Sequence, residues 1–132
     1  MALVVPDVGE NAILQMIVNK TAAENLYLRL YSNNITPSET DTLATYTQST
    51  FSGYAQISLT GANWNTAASG SISYNAQQSF TATGTPSENV YGYTVSQQTS
   101  GILLWAERAT GAPFAIATAG DAVKLTPTIT AS

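Results

Sequence analysis

The sequence predicts an all-β fold, an antiparallel sandwich or barrel, on three observations. After Gly53 the chain breaks into short runs rich in Val, Ile, Thr, Tyr and Phe, divided by Gly, Asn and Ser, which is how strands and turns read. Residues 25–31 alternate cleanly, with Leu26, Leu28 and Leu30 on one side and Tyr27, Arg29 and Tyr31 on the other; that is the period of a half-buried strand. No helix-length crossover separates one run from the next, so antiparallel pairing is expected.

Taken in order, residues 1–10 combine Leu3, Val4, Val5 and Val8 with Pro6, Asp7 and Gly9. Neither a helix nor a central strand favours that mixture, and it reads as an extended arm. Residues 10–20 place Ile13, Met16 and Ile17 at i, i+3 and i+4, with Leu14 alongside and Lys20 near the end, which predicts a short amphipathic helix. Residues 32–41 are a turn-rich loop of Ser, Asn, Thr, Pro and Asp, with Asp41 placed to cap one helical turn over 43–46. Strands are then expected at 54–60, 71–75, 77–83, 90–97, 102–107, 114–118 and 122–130. With the strand ending at Tyr31 that makes about eight of ordinary length. No repeat of propeller or solenoid period is visible. The organisation expected is an N-terminal arm over 1–10 and a single β-sandwich domain over 11–132.

Composition narrows function. The 132 residues include no His and no Cys, four cations and eight carboxylates, for a net charge of −4 and a pI near 4.3. General acid/base catalysis at neutral pH recruits His, or a carboxylate or Lys detuned by neighbours, so a non-enzymatic protein is expected. Thiolate zinc sites and disulfides are excluded outright. Four dispersed cations do not make the basic patch that nucleic acid or an anionic membrane requires. The opening residues lack the basic and long apolar regions of a secretory signal, and no apolar run approaches the roughly 18 residues of a membrane span. A soluble protein made in a cytoplasm is the expectation.

Few side chains suggest chemistry. Glu39 and Asp41 offer oxygens to a calcium ion, although two acids in a polar loop more simply make a solvated turn with a cap. Gly120-Asp121 reads as a turn whose carboxylate bonds its own backbone. The many Ser and Thr hydroxyls have no His to activate them, and no Gly-x-Ser-x-Gly or Ser-x-x-Lys motif occurs. A pair drawn from Glu88, Glu107 and Asp121 is the remaining enzymatic route, through glycoside hydrolysis. Trp64, Trp105, Tyr91 and Tyr93 are candidates for a sugar-stacking platform, with packing preferred. Tyr91 and Tyr93 are expected on one strand face. Trp105 is expected opposite Ile102, Leu104 and Ala106, packed against 90–95. Arg108 is expected to reach solvent or to pin a loop through carbonyls or a carboxylate such as Glu88.

Several segments in order carry a resemblance: Val5-Pro-Asp-Val-Gly-Glu10, Ser52-Gly-Tyr-Ala-Gln-Ile57, Trp64, Gln78-Ser-Phe-Thr-Ala-Thr-Gly84, Val90-Tyr-Gly-Tyr93, Leu103-Leu-Trp-Ala-Glu-Arg108, Ala119-Gly-Asp121 and Thr126-Pro-Thr-Ile-Thr130. Together they resemble the cement, or head decoration, proteins of tailed-phage capsids. One departure is Ala109, where the resemblance implies an aromatic residue. The resemblance implies a jelly-roll-like antiparallel sandwich with an added N-terminal segment, placed on the outer surface of the virion. It implies a structural protein that binds the major capsid protein lattice and self-associates as a dimer or trimer. It brings no catalytic residue, cofactor or metal. Leu3, Val4, Val5 and Val8 are the expected partner-binding residues, because four apolar side chains in a free arm suit docking on a neighbour or on the shell; the other reading is that the arm packs on its own domain and completes the core. The alternative is a tail-fibre or tail-tip module that recognises a host glycan through exposed aromatics.

Overall fold

The structure is a computed structural model and describes residues 3–131. Its elements are helix α1 (Asp7–Ile17) and ten strands: β1 (Leu26–Tyr31), β2 (Ile57–Leu59), β3 (Ser71–Ser73), β4 (Gln78–Thr81), β5 (Glu88–Val90), β6 (Gly92–Gln97), β7 (Leu103–Arg108), β8 (Phe114–Ile116), β9 (Ala122–Leu125) and β10 (Thr128–Thr130). All ladders are antiparallel. The fold is an all-β domain with one N-terminal helix, loosely a sandwich. One layer is a four-stranded sheet in the order β2-β1-β6-β7, and three two-stranded ladders complete the molecule. Among the described residues no sheet is closed or curled as a jelly roll requires.

Ten strands arise where about eight are expected because two long runs are interrupted. The run over 122–130 divides at Pro127, which has no N–H to offer, between β9 and β10. The run over 90–97 is broken at Tyr91, leaving β5 and β6 on either side. The breaks are local. The Tyr74 N–H donates to the Pro127 carbonyl at 2.9 Å, between the β3–β10 and β4–β9 ladders, and keeps them in line as one ribbon.

The helix starts earlier than the sequence suggests. Pro6 takes the N-cap position, and Asp7 to Gly9, expected to be extended, lie in the first turn. Pro tolerates that location because a helix start needs no N–H from it, and the acids of the first turn suit the positive end of the helix dipole. The Asp7 N–H, without a helical acceptor, donates to the Glu39 carbonyl at 2.8 Å. At the other end Asn19 adopts φ 56° and the Lys20 N–H closes back on the Gln15 carbonyl at 2.8 Å, which stops the helix.

Two clusters fill the interior. The main one lies between the four-stranded sheet and the ribbon, and includes Leu28, Leu30, Val95, Trp105, Phe80 and Ala82. The second, on the far face of the sheet, is Tyr31, Tyr46, Leu103 and Ala106. A bulge in β7 decides the allocation. Val95 pairs with Trp105 but Ser96 pairs with Leu103, so Leu104 is the extra residue. Leu104 therefore shares the main core with Trp105, while Leu103 shares the second cluster with Ala106. Strict alternation, which places Leu104 opposite Trp105, fails at this bulge. Trp105 itself is buried at 3% exposure, among the residues it is expected to meet: Val95 is its register partner and Tyr93 packs on the same cluster.

Candidate interaction surface

Five of the carboxylates accept structural hydrogen bonds. Glu24 accepts the Thr99 and Ser100 N–H groups at 2.7 and 3.1 Å, and the Ser100 bond is the main cause that holds its carboxyl below the ordinary value. Asp121 accepts from the Ala117 and Thr118 N–H groups at 3.0 and 2.9 Å, the turn read from sequence, and these bonds lower its pKa as well. Glu88 receives the Thr50 N–H at 3.0 Å, and Glu107 receives the Tyr93 hydroxyl at 2.7 Å. Asp41 accepts from the Ser38 N–H at 2.9 Å and the Tyr46 hydroxyl at 2.7 Å. It does not cap the following turn; Thr42 does, in a reciprocal box with Thr45. Among the described residues, no three or more acids converge as a metal site would need.

The tyrosines support the same assignment. Burial pushes the Tyr31 phenol up to about 12. Burial, then the bond to Asp41, raises Tyr46; burial, then the bond to Glu107, raises Tyr93. These hydroxyls stay protonated donors at neutral pH.

Cations and aromatics are likewise engaged in packing. Arg108 Nη1 donates to the Ile35 carbonyl at 2.9 Å, and its guanidinium lies over the Tyr91 ring, 5.2 Å from the centroid. It pins the 32–42 loop through a carbonyl, one of the two expected roles, and Glu88 is not its partner. Trp64 packs edge-on against Tyr74 and Trp105, with centroids 5.2 and 6.4 Å away. Tyr91 joins the second cluster and Tyr93 the main one. The interruption of the strand run at Tyr91 thus sends the two rings to different clusters, against the expectation of one shared face.

The arm residues pack within their own chain. Val4 and Ala106 exchange both backbone hydrogen bonds at 2.9 Å, so Val4 continues the sheet beyond β7. Leu3 and Val5 rest on the main core and Val8 on the second cluster. Each of the four is half-buried. A more exposed apolar surface adjoins Val5.

That surface is the outer side of α1. Gly9 and Ala12 are the buried residues of the helix, whereas Leu14 is 61%, Ile17 73% and Val18 71% exposed. Of the Ile13, Met16 and Ile17 stripe read from sequence, Ile13 and Met16 are half-buried, with Gln97 Nε2 donating to the Met16 sulfur at 3.8 Å, and Ile17 is exposed. The cause is how near the helix lies to β7: a Cβ at Gly9 would approach the Leu104 carbonyl oxygen to 2.5 Å. Only small residues fit at that range, and Leu14, Ile17 and Val18 are left on the outer side. Beside them, between α1 and the β3–β10 ladder, runs a groove of about 670 Å³ whose lining includes Val5, Ile13, Leu14, Ile72 and Ile129. The sequence signal available is Gly9, Ala12 and Met16, spaced i, i+3 and i+7, which define an inner face offset from Ile17.

Comparison with known proteins leaves the assignment to this geometry. No protein-family model matches the chain, and no curated protein matches it significantly.

Proposed function

We propose that this protein is a non-enzymatic structural component of a virion, a decoration protein that binds the outside of the assembled major capsid protein lattice through the outer face of α1. The observation that carries the reading is the exposure of Leu14, Ile17 and Val18 on a helix whose small residues face inward. Large apolar side chains gathered on one side of a helix favour contact with another protein surface. The low charge of the chain, with 9% charged residues, suits docking by burial rather than by ion pairing. The sequence resemblance supplies the lattice as the partner.

The mechanism is mass action. A ligand that binds only the assembled shell stabilises it by an amount set by its free concentration over its dissociation constant, and repetition over many subunits multiplies a modest contact. The glycan-module alternative loses its main residues, because Trp64, Trp105 and Tyr93 pack on the core. Imaging of labelled protein on intact particles tests the proposal. Label spread over the head is the expected result; label confined to the tail, or absent from particles, would overturn it.

A further inference from the structure

The open edge of β10 carries an inference that does not depend on shell binding. Among the described residues β10 pairs only with β3. The Tyr74 N–H donates to the Pro127 carbonyl at 2.9 Å, and the Ala131 N–H to the Gly70 carbonyl at 2.8 Å. These bonds set the phase of the ladder, so that Ile129 turns its backbone groups toward Ile72. Thr128 and Thr130 then direct their N–H and C=O groups away from β3, off the edge of the sheet. No other described segment takes up those groups. Such an edge is a template for a further strand. The apolar groove lies against it, with Ile129 in its lining and Glu10 as the sole charged residue there.

We propose that the occupant of this edge is a second copy of the same chain, paired antiparallel along β10 about a twofold axis at Ile129. The edge is self-complementary. Thr128-Ile129-Thr130 reads the same in both directions, so the axis sets Thr128 opposite Thr130 of the second copy and Thr130 opposite its Thr128. Both are the hydrogen-bonded kind of pair, and together they satisfy every outward backbone group of the two edges. Cross-strand Thr–Thr pairs are favourable. Ile129 meets Ile129 of the second copy on the groove side, joining the two apolar grooves across the seam. With only Glu10 charged in each lining, the copies approach without a row of like charges. An unrelated extended peptide would fill the backbone groups equally, but nothing in the edge selects its sequence.

The test measures the mass of the full chain in solution by sedimentation across a concentration series. The native chain is expected to be a dimer. Thr128 and Thr130 side chains are exposed, so charge can be placed there without entering the core. In the Thr128→Lys/Thr130→Lys chain, Lys faces Lys across the seam, and association is expected to weaken by roughly tenfold or more with the melting temperature little changed. In the Thr128→Lys/Thr130→Glu chain, each Lys faces a Glu of the second copy, and the dimer is expected to persist. A native chain that stays monomeric at all concentrations, a closed trimer, or a double-Lys chain that associates like the native one would each overturn the proposal. So would equal dissociation of the two charged variants, since only the twofold register distinguishes them.

Discussion

Gly9 of α1 lies against the backbone of Leu104, so closely that a Cβ there would sit 2.5 Å from the Leu104 oxygen and 2.8 Å from that of Leu103. This contact fixes which side of the helix is inside. Two effects oppose each other at the position. Replacing Gly by Ala in a helix is worth about 1 kcal/mol in propensity, whereas overpacking against a backbone that cannot yield costs about 1 to 3 kcal/mol. The neighbour here is backbone on an ordered strand, so the steric cost is expected to win and Gly9→Ala to destabilise. Denaturant unfolding measures it; a raised midpoint would mean the helix stands farther from β7.

Trp105 tests the main core. It is 3% exposed, pairs with Val95 and meets Trp64 edge-on. Trp105→Ala is expected to cost about 3 to 5 kcal/mol, a large fraction of the roughly 5 to 15 kcal/mol that holds a domain. Thermal unfolding reads the loss, and a variant that melts like the native chain would place Trp105 at the surface.

What the sequence revealed, and what it hid, follows from the range of the forces involved. β1 was legible to its end residues because the alternation of Leu26 through Tyr31 reports a face directly. The Asp121 turn was legible because its hydrogen bonds reach only Ala117 and Thr118. The β7 bulge was hidden: Leu104 moves to Trp105's side only because of how β6 pairs, and nothing within 102–107 announces it. The orientation of α1 was hidden for a similar reason. Ile13, Met16 and Ile17 have the right spacing for a core face, but the separation of helix and strand, a tertiary quantity, buries Gly9 and Ala12, leaves Ile13 and Met16 half-buried and exposes Ile17. The second half of the arm is helical, since Pro6 marks a helix start as readily as it forbids a helix interior.

Alkaline stability should follow the buried phenols. A folded-state pKa above the unfolded value contributes stability that is complete below the unfolded value of about 10 and is lost as pH rises through the folded one. Tyr31, pushed up by burial to about 12, places this loss between about pH 10 and 12. Tyr46 and Tyr93 are raised as well. Ultraviolet titration is expected to show tyrosinate appearing together with loss of tertiary circular dichroism. Ionisation of all seven tyrosines while the fold persists would contradict the buried assignments.

Acid behaviour carries the opposite sign. Glu24 and Asp121 have lowered folded-state pKa values, set chiefly by the Ser100 and Ala117 N–H groups. Their contribution is present above the ordinary carboxylate range and is lost as pH falls through the lowered values, below about pH 4. Asp121→Asn is expected to flatten the acid limb of the stability curve and to leave the alkaline limb unchanged. An acid limb identical to that of the native chain would show that the 117–121 turn does not couple to folding.

The outer face of α1 carries the proposed shell contact, and binding of purified protein to undecorated capsid shells measures it directly. Ile17→Lys and Val18→Lys change residues that are 73% and 71% exposed, so the isolated subunit should melt as the native one does. The expected result is saturable binding by the native chain and at least about tenfold weaker binding by the double variant, the loss of two buried apolar contacts worth about 1.5 kcal/mol or more each. Equal occupancy of the shells by native and variant protein would contradict the account.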